Sequence, residues 1–170
     1  AFDLLRSNSA LKAEKKSSRV AADGILVVAL TDSYATIVEL NSETDFAAKD
    51  SNFLSFSEKV KSFISENKVN YIEAFSSSSL EDDRKTLVQT IGENIQLRRI
   101  ETLDYNSDMN IGVYLHSDSK LGSIVVVKDG SDLIAKDIAM HVSAFNPICL
   151  SQEDIDQDIL ERERAIYQNQ

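Results

Sequence analysis

The sequence has too few cysteines to be held together by disulfide bonds. Cys149 is the single cysteine among 170 residues, so no internal disulfide framework can form, and this usage is typical of a reducing cytoplasm. A membrane-spanning helix is not expected either, because no apolar run approaches the roughly 20 residues that crossing a bilayer requires. The N-terminus also lacks the continuous apolar segment of a secretory signal peptide. We therefore predict a cytoplasmic location.

Positive charge is scarce too, and this bears on the class of partner. The chain has 18 Lys and Arg against 28 Asp and Glu, which gives a formal net charge of −10 and a pI near 4.6. Nucleic-acid phosphates and anionic membranes attract clustered cations, so we predict that the chain binds neither directly. A basic or partly basic protein surface is the expected counterpart.

The motifs of common catalytic and cofactor sites are missing. The chain has no GxGxxG loop and no Walker A loop, so we expect it to hold no nucleotide itself. Two histidines and an isolated cysteine give no metal-binding spacing, and no pair of acids is singled out for acid–base work. His116 lies among serines and Asp118, but neighbours on one hairpin turn cannot converge into a catalytic triad. We predict no catalytic residue, no metal and no cofactor, and a hydrolase using His116 is the least favoured hypothesis.

What the sequence does contain is an apolar strand that ends in a polar corner. The stretch 38–50 passes from apolar residues to Thr44 and Asp45, whose side-chain oxygens suit the free amides of a helix N-terminus. Phe46 follows at once. A bulky apolar residue at a helix entrance either enters the core or projects as a hydrophobic prong, and local pattern alone favours the core.

Lys49 bears on the choice between these two positions of Phe46. In one unbroken helix Lys49 would fall in the middle of the apolar stripe that runs from Phe53 to Ile64. A charge there indicates that the first turn is separate and that Ser51 caps the main helix. The balance shifts toward a projecting Phe46.

Turns and apolar runs predict an α+β fold with two subdomains of related design. A hairpin, a polar corner and a helix follow one another from Gly24 and again from Gly112. We expect two antiparallel, hairpin-based sheets packed with helices, and no continuous sheet, with helical arms at both termini. The expected strands are 25–30, 35–40, 95–100, 112–116 and 123–128. The expected helices are 1–20, the main helix that begins at Ser51 and carries the apolar stripe 53–64, and 79–91, 132–145 and 151–168.

The same pattern gives the predicted domain boundaries. They are a helical arm at 1–21, a first core subdomain at 22–104, an incomplete second subdomain at 105–150 and the start of a C-terminal helix at 151–170. The chain lacks an initiator Met, opens inside one helical pattern and stops inside another. We expect a fragment of a longer protein.

Gly92 and His141 each have two interpretations. Gly92, after Ile91, is favoured as a helix C-cap, and the alternative is that glycine lets a partner's backbone come close. His141 shares a helix face with Ile138 and Phe145, so we expect a packed core histidine rather than a ligand.

Four segments together resemble bacterial elongation factor Ts. They are RVAADG at 19–24, ELNSETDF at 39–46, IGENI at 91–95 with RR at 98–99, and IAMH at 138–141 with NP at 146–147. The resemblance covers nearly the whole chain in order. It implies a guanine-nucleotide exchange factor for elongation factor Tu in translation, a role that needs no covalent chemistry. Such a factor binds its nucleotide-free partner more tightly and, by linkage, lowers nucleotide affinity by the same factor.

The resemblance also implies which residues meet the partner. In the family the Asp-Phe pair reaches into the GTPase domain of elongation factor Tu, and the phenylalanine wedges between helices near the Mg²⁺ and phosphate site. Thr44 is expected to cap the turn beside this site. The partner contacts carried over to this chain are Asp45, Phe46, Ile91, Gly92 and His116.

The chain departs from the family pattern in several places. The ubiquitin-associated-like N-terminal domain is represented only by its last helix, within the arm 1–21, and the coiled-coil excursion and final strand have no counterpart after Gln170. Ala47 stands where a bulkier aliphatic residue is usual, and Ser117 follows His116 where Gly is common. The alternative function is therefore a binding or scaffold fragment that contacts elongation factor Tu without efficient exchange.

Overall fold

Two separate antiparallel sheets organise residues 11–168, the part of the chain that this computed structural model describes. The first sheet has the order β1 (Asp23–Leu30), β2 (Tyr34–Ser42) and β3 (Gln96–Asp104), with both pairings antiparallel. The second pairs β4 (Met109–Leu115) with β5 (Gly122–Lys128). The predicted α+β class, with two small hairpin-based sheets packed with helices, is confirmed.

Helices precede, connect and follow the strands of these sheets. They are α1 at residues 11–16, α2 (Asp45–Ala48), α3 (Ser51–Glu66), α4 (Glu73–Ser76), α5 (Ser79–Ile91), α6 (Asp132–Phe145) and α7 (Gln157–Gln168), with a 3₁₀ turn at Gln152–Asp154. The first ten residues of the predicted arm 1–21 and residues 169–170 lie outside the described residues. The predicted subdomain boundary at 104/105 falls between β3 and β4 and stays a prediction. Within residues 11–168, no helix combines the length and the apolarity needed to cross a membrane.

The main core lies between the first sheet and α3. Apolar residues three and four apart share one face of α3, and Phe53, Val60 and Ile64 on that face are fully buried. They meet Val38 and Leu40, which are two apart on β2 and therefore point to the same side of the sheet. The position of α3 against the sheet fixes the entrance of the helix, which is where the Thr44 corner lies.

The cap of α3 corrects one prediction. The N-cap is Asp50 and not Ser51, because Asp50 has extended backbone and its carboxylate accepts a bond of 2.8 Å from the Asn52 amide. That backbone hydrogen bond holds the pKa of Asp50 below its usual value. Ser51 is already the first helical residue. The break between α2 and α3 therefore comes one residue earlier than expected.

The connection of the first hairpin is shorter than expected. Thr31 closes it by accepting from the Tyr34 amide at 3.1 Å and donating from its hydroxyl to the Tyr34 carbonyl at 2.9 Å. Tyr34 is thereby drawn into β2, which starts one residue before the predicted position.

Helix α6 packs on the second sheet through its small residues. Ala135, Ala139 and Ser143 are buried, and a Cβ added to Gly112 on β4 would lie 1.9 Å from the carbonyl oxygen of Ala135. This close approach selects the small-residue stripe as the contact and turns the larger apolar residues outward. The expectation of a packed His141 is wrong, because His141 is exposed and stacks on Phe145 at 5.6 Å.

Candidate functional site

The polar corner after β2 is built by Thr44. Its backbone is extended, and its hydroxyl oxygen accepts from the Ala47 amide at 3.3 Å, so Thr44 is the N-cap of α2. The preceding strand ends at Ser42, whose hydroxyl donates to the Thr44 carbonyl at 2.9 Å. These local bonds turn the chain from β2 into a helix of four residues.

Phe46 projects from this corner. It is 81% exposed, whereas the next two residues, Ala47 and Ala48, are each 4% exposed. The two alanines let α2 lie close against β1 and β2, and the bulky neighbour is left on the outer side. Of the two positions open to Phe46 in the sequence, the structure has the projecting one.

Asp45 is a carboxylate at the start of the same helix. Lys49, one turn later, donates to Asp45 Oδ2 at 2.8 Å. This hydrogen bond holds the pKa of Asp45 below its usual value, and the charge of Lys49 acts in the same direction. Asp45 is therefore anionic at neutral pH, next to the exposed ring of Phe46.

Ile91 and Gly92 lie at the end of α5. Gly92 is the C-cap, with a left-handed backbone at φ 89°, and its amide donates to the Val88 carbonyl at 3.0 Å. Among residues 11–168, a Cβ on Gly92 would meet only the end of the Lys16 side chain within 4 Å, at 3.8 Å. The left-handed backbone, rather than crowding by these described residues, accounts for the glycine.

Two glutamates join this segment to the Thr44 corner. Glu93 accepts from the Thr44 amide at 2.9 Å and from the Thr44 hydroxyl at 2.7 Å. In the opposite direction, Glu43 accepts from the Asn94 amide at 2.6 Å. The structure thus brings Phe46 and Gly92 into one region. Both glutamates lie within the sequence motifs, but no role was predicted for either of them. Each adjoins a predicted site residue, Glu43 next to Thr44 and Glu93 next to Gly92.

His116 lies on the loop between β4 and β5. Its Nδ1 lies 2.9 Å from Asp118 Oδ1, and the same oxygen accepts from the Lys120 amide at 3.0 Å. These bonds form an exposed turn and lower the pKa of Asp118, the Lys120 amide being the larger cause. Ser119 in this turn has a left-handed backbone at φ 56°.

The His116 loop is attached to β1, beside the Asp45 corner. The Ser119 carbonyl accepts from the Leu26 amide at 2.6 Å, and Lys120 donates to Asp23 Oδ1 at 2.8 Å. The bond to Asp23 raises the pKa of Lys120, and the charges of Asp45 and Asp118 raise it further. Lys120 therefore lies among three carboxylates, one of them at the Phe46 corner.

Side chains that could hold a metal are not gathered anywhere in residues 11–168, where no group of three or more His, Cys, Asp or Glu has a suitable arrangement. The region contains an exposed aromatic ring and an anionic carboxylate. The end of α5 at Gly92 and the loop of His116 are hydrogen-bonded to either side of it. Such a surface suits contact with another protein.

Comparison with known proteins identifies the family. The family model described as Elongation factor TS matches residues 43–170, a range that includes every residue singled out above as a candidate contact. The chain belongs to the elongation factor Ts family. The resemblance to elongation factor Ts found in the sequence is confirmed.

Curated relatives agree with the family model. The proteins named Elongation factor Ts from Hahella chejuensis and Limosilactobacillus reuteri are 43% and 41% identical over 172 and 175 residues, and the alignments include 100% of this chain. The same chain covers 59% and 60% of those two relatives. The protein of that name from Psychrobacter cryohalolentis is 41% identical over 174 residues, with 99% of this chain and 58% of the relative covered. The chain thus spans about three fifths of the length of the curated relatives it matches.

Proposed function

We propose that this chain is a guanine-nucleotide exchange factor that promotes GDP release from elongation factor Tu. The observation that carries the proposal is the 81% exposure of Phe46 on a short helix whose other side is buried, in a chain of the elongation factor Ts family. A large exposed aromatic ring on a firmly held element is the usual form of a binding anchor. The proposal includes a cytoplasmic location and no direct contact with nucleic acid or membrane.

In this mechanism Phe46 acts as a wedge near the Mg²⁺ and phosphate site of elongation factor Tu. Burying a Phe side chain contributes about 1.5–3 kcal/mol. If the partner accommodates the ring only when nucleotide is absent, that energy corresponds to about a 10- to 150-fold preference for the nucleotide-free state. By linkage, GDP affinity falls by the same factor. The chain needs no acid, base or nucleophile for this.

The remaining contacts lie on either side of the Phe46 corner. We propose that Ile91 and Gly92 meet the partner on the side joined through Glu93, and that His116 meets it on the side joined through Lys120. Asp45, anionic beside the ring, adds a charged contact. The excess of negative charge in the chain, −10 overall, favours a basic surface on the partner.

The test is the rate at which labelled GDP leaves elongation factor Tu, measured with and without this chain. We expect acceleration by the unaltered chain and a loss of about tenfold or more in Phe46→Ala. Phe145→Ala is the matched control, because Phe145 is a 76% exposed ring on α6 and not on the corner. No acceleration by the unaltered chain, or equal losses in both variants, would contradict the proposal.

The alternative is a fragment that binds elongation factor Tu without efficient exchange. Two observations support this alternative. The chain departs from the family pattern in several places, and it covers about three fifths of its relatives. It predicts that the chain co-purifies with elongation factor Tu while the rate of GDP release stays unchanged.

A further inference from the structure

Glu93 belongs to a different segment from the Thr44 corner, yet both of its carboxylate oxygens bond to Thr44. One oxygen accepts from the Thr44 amide and the other from the Thr44 hydroxyl, across 49 positions of sequence. Hydrogen bonds to an ionised acceptor are about twice as strong as bonds between neutral groups. Glu93 is thus the long-range partner of the residue that caps α2.

The bond from the hydroxyl decides how Thr44 caps the helix. A hydroxyl has one proton, and here that proton is directed to Glu93 at 2.7 Å. The oxygen lone pairs are then free to face the Ala47 amide, from which Thr44 accepts at 3.3 Å. Because a helix of four residues is too short to be stable alone, its orientation depends on such attachments.

A second carboxylate joins the same two segments in the other direction. Glu43 accepts from the amide of Asn94 and pairs with Arg19 at 3.5 Å. Asn94 is 1% exposed, and its side-chain amide donates to the Arg19 carbonyl at 2.8 Å. The Glu93 bonds therefore rest on a segment that is itself fixed in the structure.

We propose that Glu93 is a positioning residue for nucleotide exchange. It holds α2, and with it Phe46, in a fixed orientation relative to Ile91 and Gly92. A prong already held in its binding orientation loses less conformational entropy when the partner closes around it, so more of the contact energy goes into displacing nucleotide. This inference rests on the proposed exchange function.

The first test needs no partner protein. The Ala48 and Lys49 amides donate to the carbonyls of Thr44 and Phe46, so their hydrogen-exchange rates report the order of α2. In Glu93→Ala we expect these amides to exchange about fivefold faster, the ratio typical of a lost N-cap. The amides of α3 should be unchanged. Glu58→Ala, which removes an exposed carboxylate from α3, is the control and should alter neither set. Unchanged exchange at α2 in Glu93→Ala would overturn the inference.

The second test measures GDP release from elongation factor Tu, at a temperature where circular dichroism shows every variant folded. We expect Glu93→Ala to lower the acceleration about fivefold and Glu93→Gln to lower it less, because Gln keeps one acceptor oxygen for the Thr44 amide. If Glu93 acts through Phe46, adding Glu93→Ala to Phe46→Ala should cause almost no further loss.

Two results separate this inference from the function on which it rests. Failure of the unaltered chain to accelerate GDP release overturns the proposed function, and the exchange role of Glu93 with it. Acceleration by the unaltered chain, together with fully additive losses in the double variant or with no loss in Glu93→Ala, overturns the positioning role alone.

Discussion

Phe46 and Phe53 offer a comparison that separates the prong from the core. They are the same residue type, seven positions apart, on consecutive helices of one corner. Phe53 is 0% exposed and lies in the main core, whereas Phe46 is 81% exposed. Replacing Phe53 by alanine should therefore lower the thermal stability of the chain, whereas replacing Phe46 by alanine should lower the proposed acceleration of GDP release.

The expected magnitudes follow from burial. Truncating a fully buried Phe costs about 3–5 kcal/mol, and about 1 kcal/mol shifts Tm by roughly 2–4 °C in a chain of this size, so Phe53→Ala should lower Tm by about 6–20 °C. An aromatic side chain buries about 200 Å² when fully enclosed, so the fifth of Phe46 that is covered contributes about 1 kcal/mol. Alanine recovers roughly half of that through its better helix propensity. Phe46→Ala should therefore lower the free energy of unfolding by only about 0.5 kcal/mol.

Thermal unfolding followed by circular dichroism measures the stability of each variant. The rate of GDP release from elongation factor Tu measures its exchange activity. If the proposed exchange function holds, then at a temperature where all chains are folded Phe53→Ala should accelerate GDP release as the unaltered chain does, and Phe46→Ala should lose that acceleration. Comparable drops in Tm for the two variants would refute the reasoning, because they would mean that Phe46 is packed inside the protein in solution.

Two further predictions concern the framework that supports the site. Gly112→Ala should lower the free energy of unfolding by about 1–3 kcal/mol or more, since the new Cβ would lie 1.9 Å from the Ala135 carbonyl oxygen and push α6 away; an unchanged Tm would contradict this. Burial acts to raise the pKa of Glu81, but the hydrogen bonds and charges of Arg84 and Lys85 together outweigh it and hold that pKa below its usual value. The stabilisation from these contacts is therefore complete above the ordinary glutamate pKa of about 4.3 and is lost as the pH falls through the lower, folded-state pKa. Urea unfolding should show that Glu81→Gln is less stable than the unaltered chain at pH 7 and that its free energy of unfolding falls less as the pH is lowered. Identical pH profiles for the two chains would contradict this prediction.

Much of the fold could be predicted because its elements have strong local periodicity. The apolar residues of α3 recur at spacings of three and four, and the strands of the first hairpin are rich in Val and Ile, so the types of these three elements were clear from the sequence. Element ends were less certain. The cap of α3 was assigned to Ser51 and belongs to Asp50, because both are good capping residues and only backbone geometry distinguishes them.

Helix α6 shows where periodicity fails. Its larger apolar residues mark one stripe and its small residues another, and sequence reasoning placed the larger stripe, with His141, inward. The backbone of Gly112 leaves room for a helix to approach within contact distance of β4, and only the stripe of Ala135, Ala139 and Ser143 fits that spacing. Which stripe is buried depended on the partner surface and not on the helix itself.

By itself the sequence determined the α+β class, the two hairpin-and-helix units, the acidic charge and the family. These follow from local spacing, composition and motifs, all of which are properties of residues close together along the chain. Only the tertiary structure decided that Phe46 projects, that Glu93 holds the Thr44 corner, and that Lys120 attaches the His116 loop beside Asp45. Each of these depends on contacts between residues far apart in sequence, and local periodicity carries no information about such contacts.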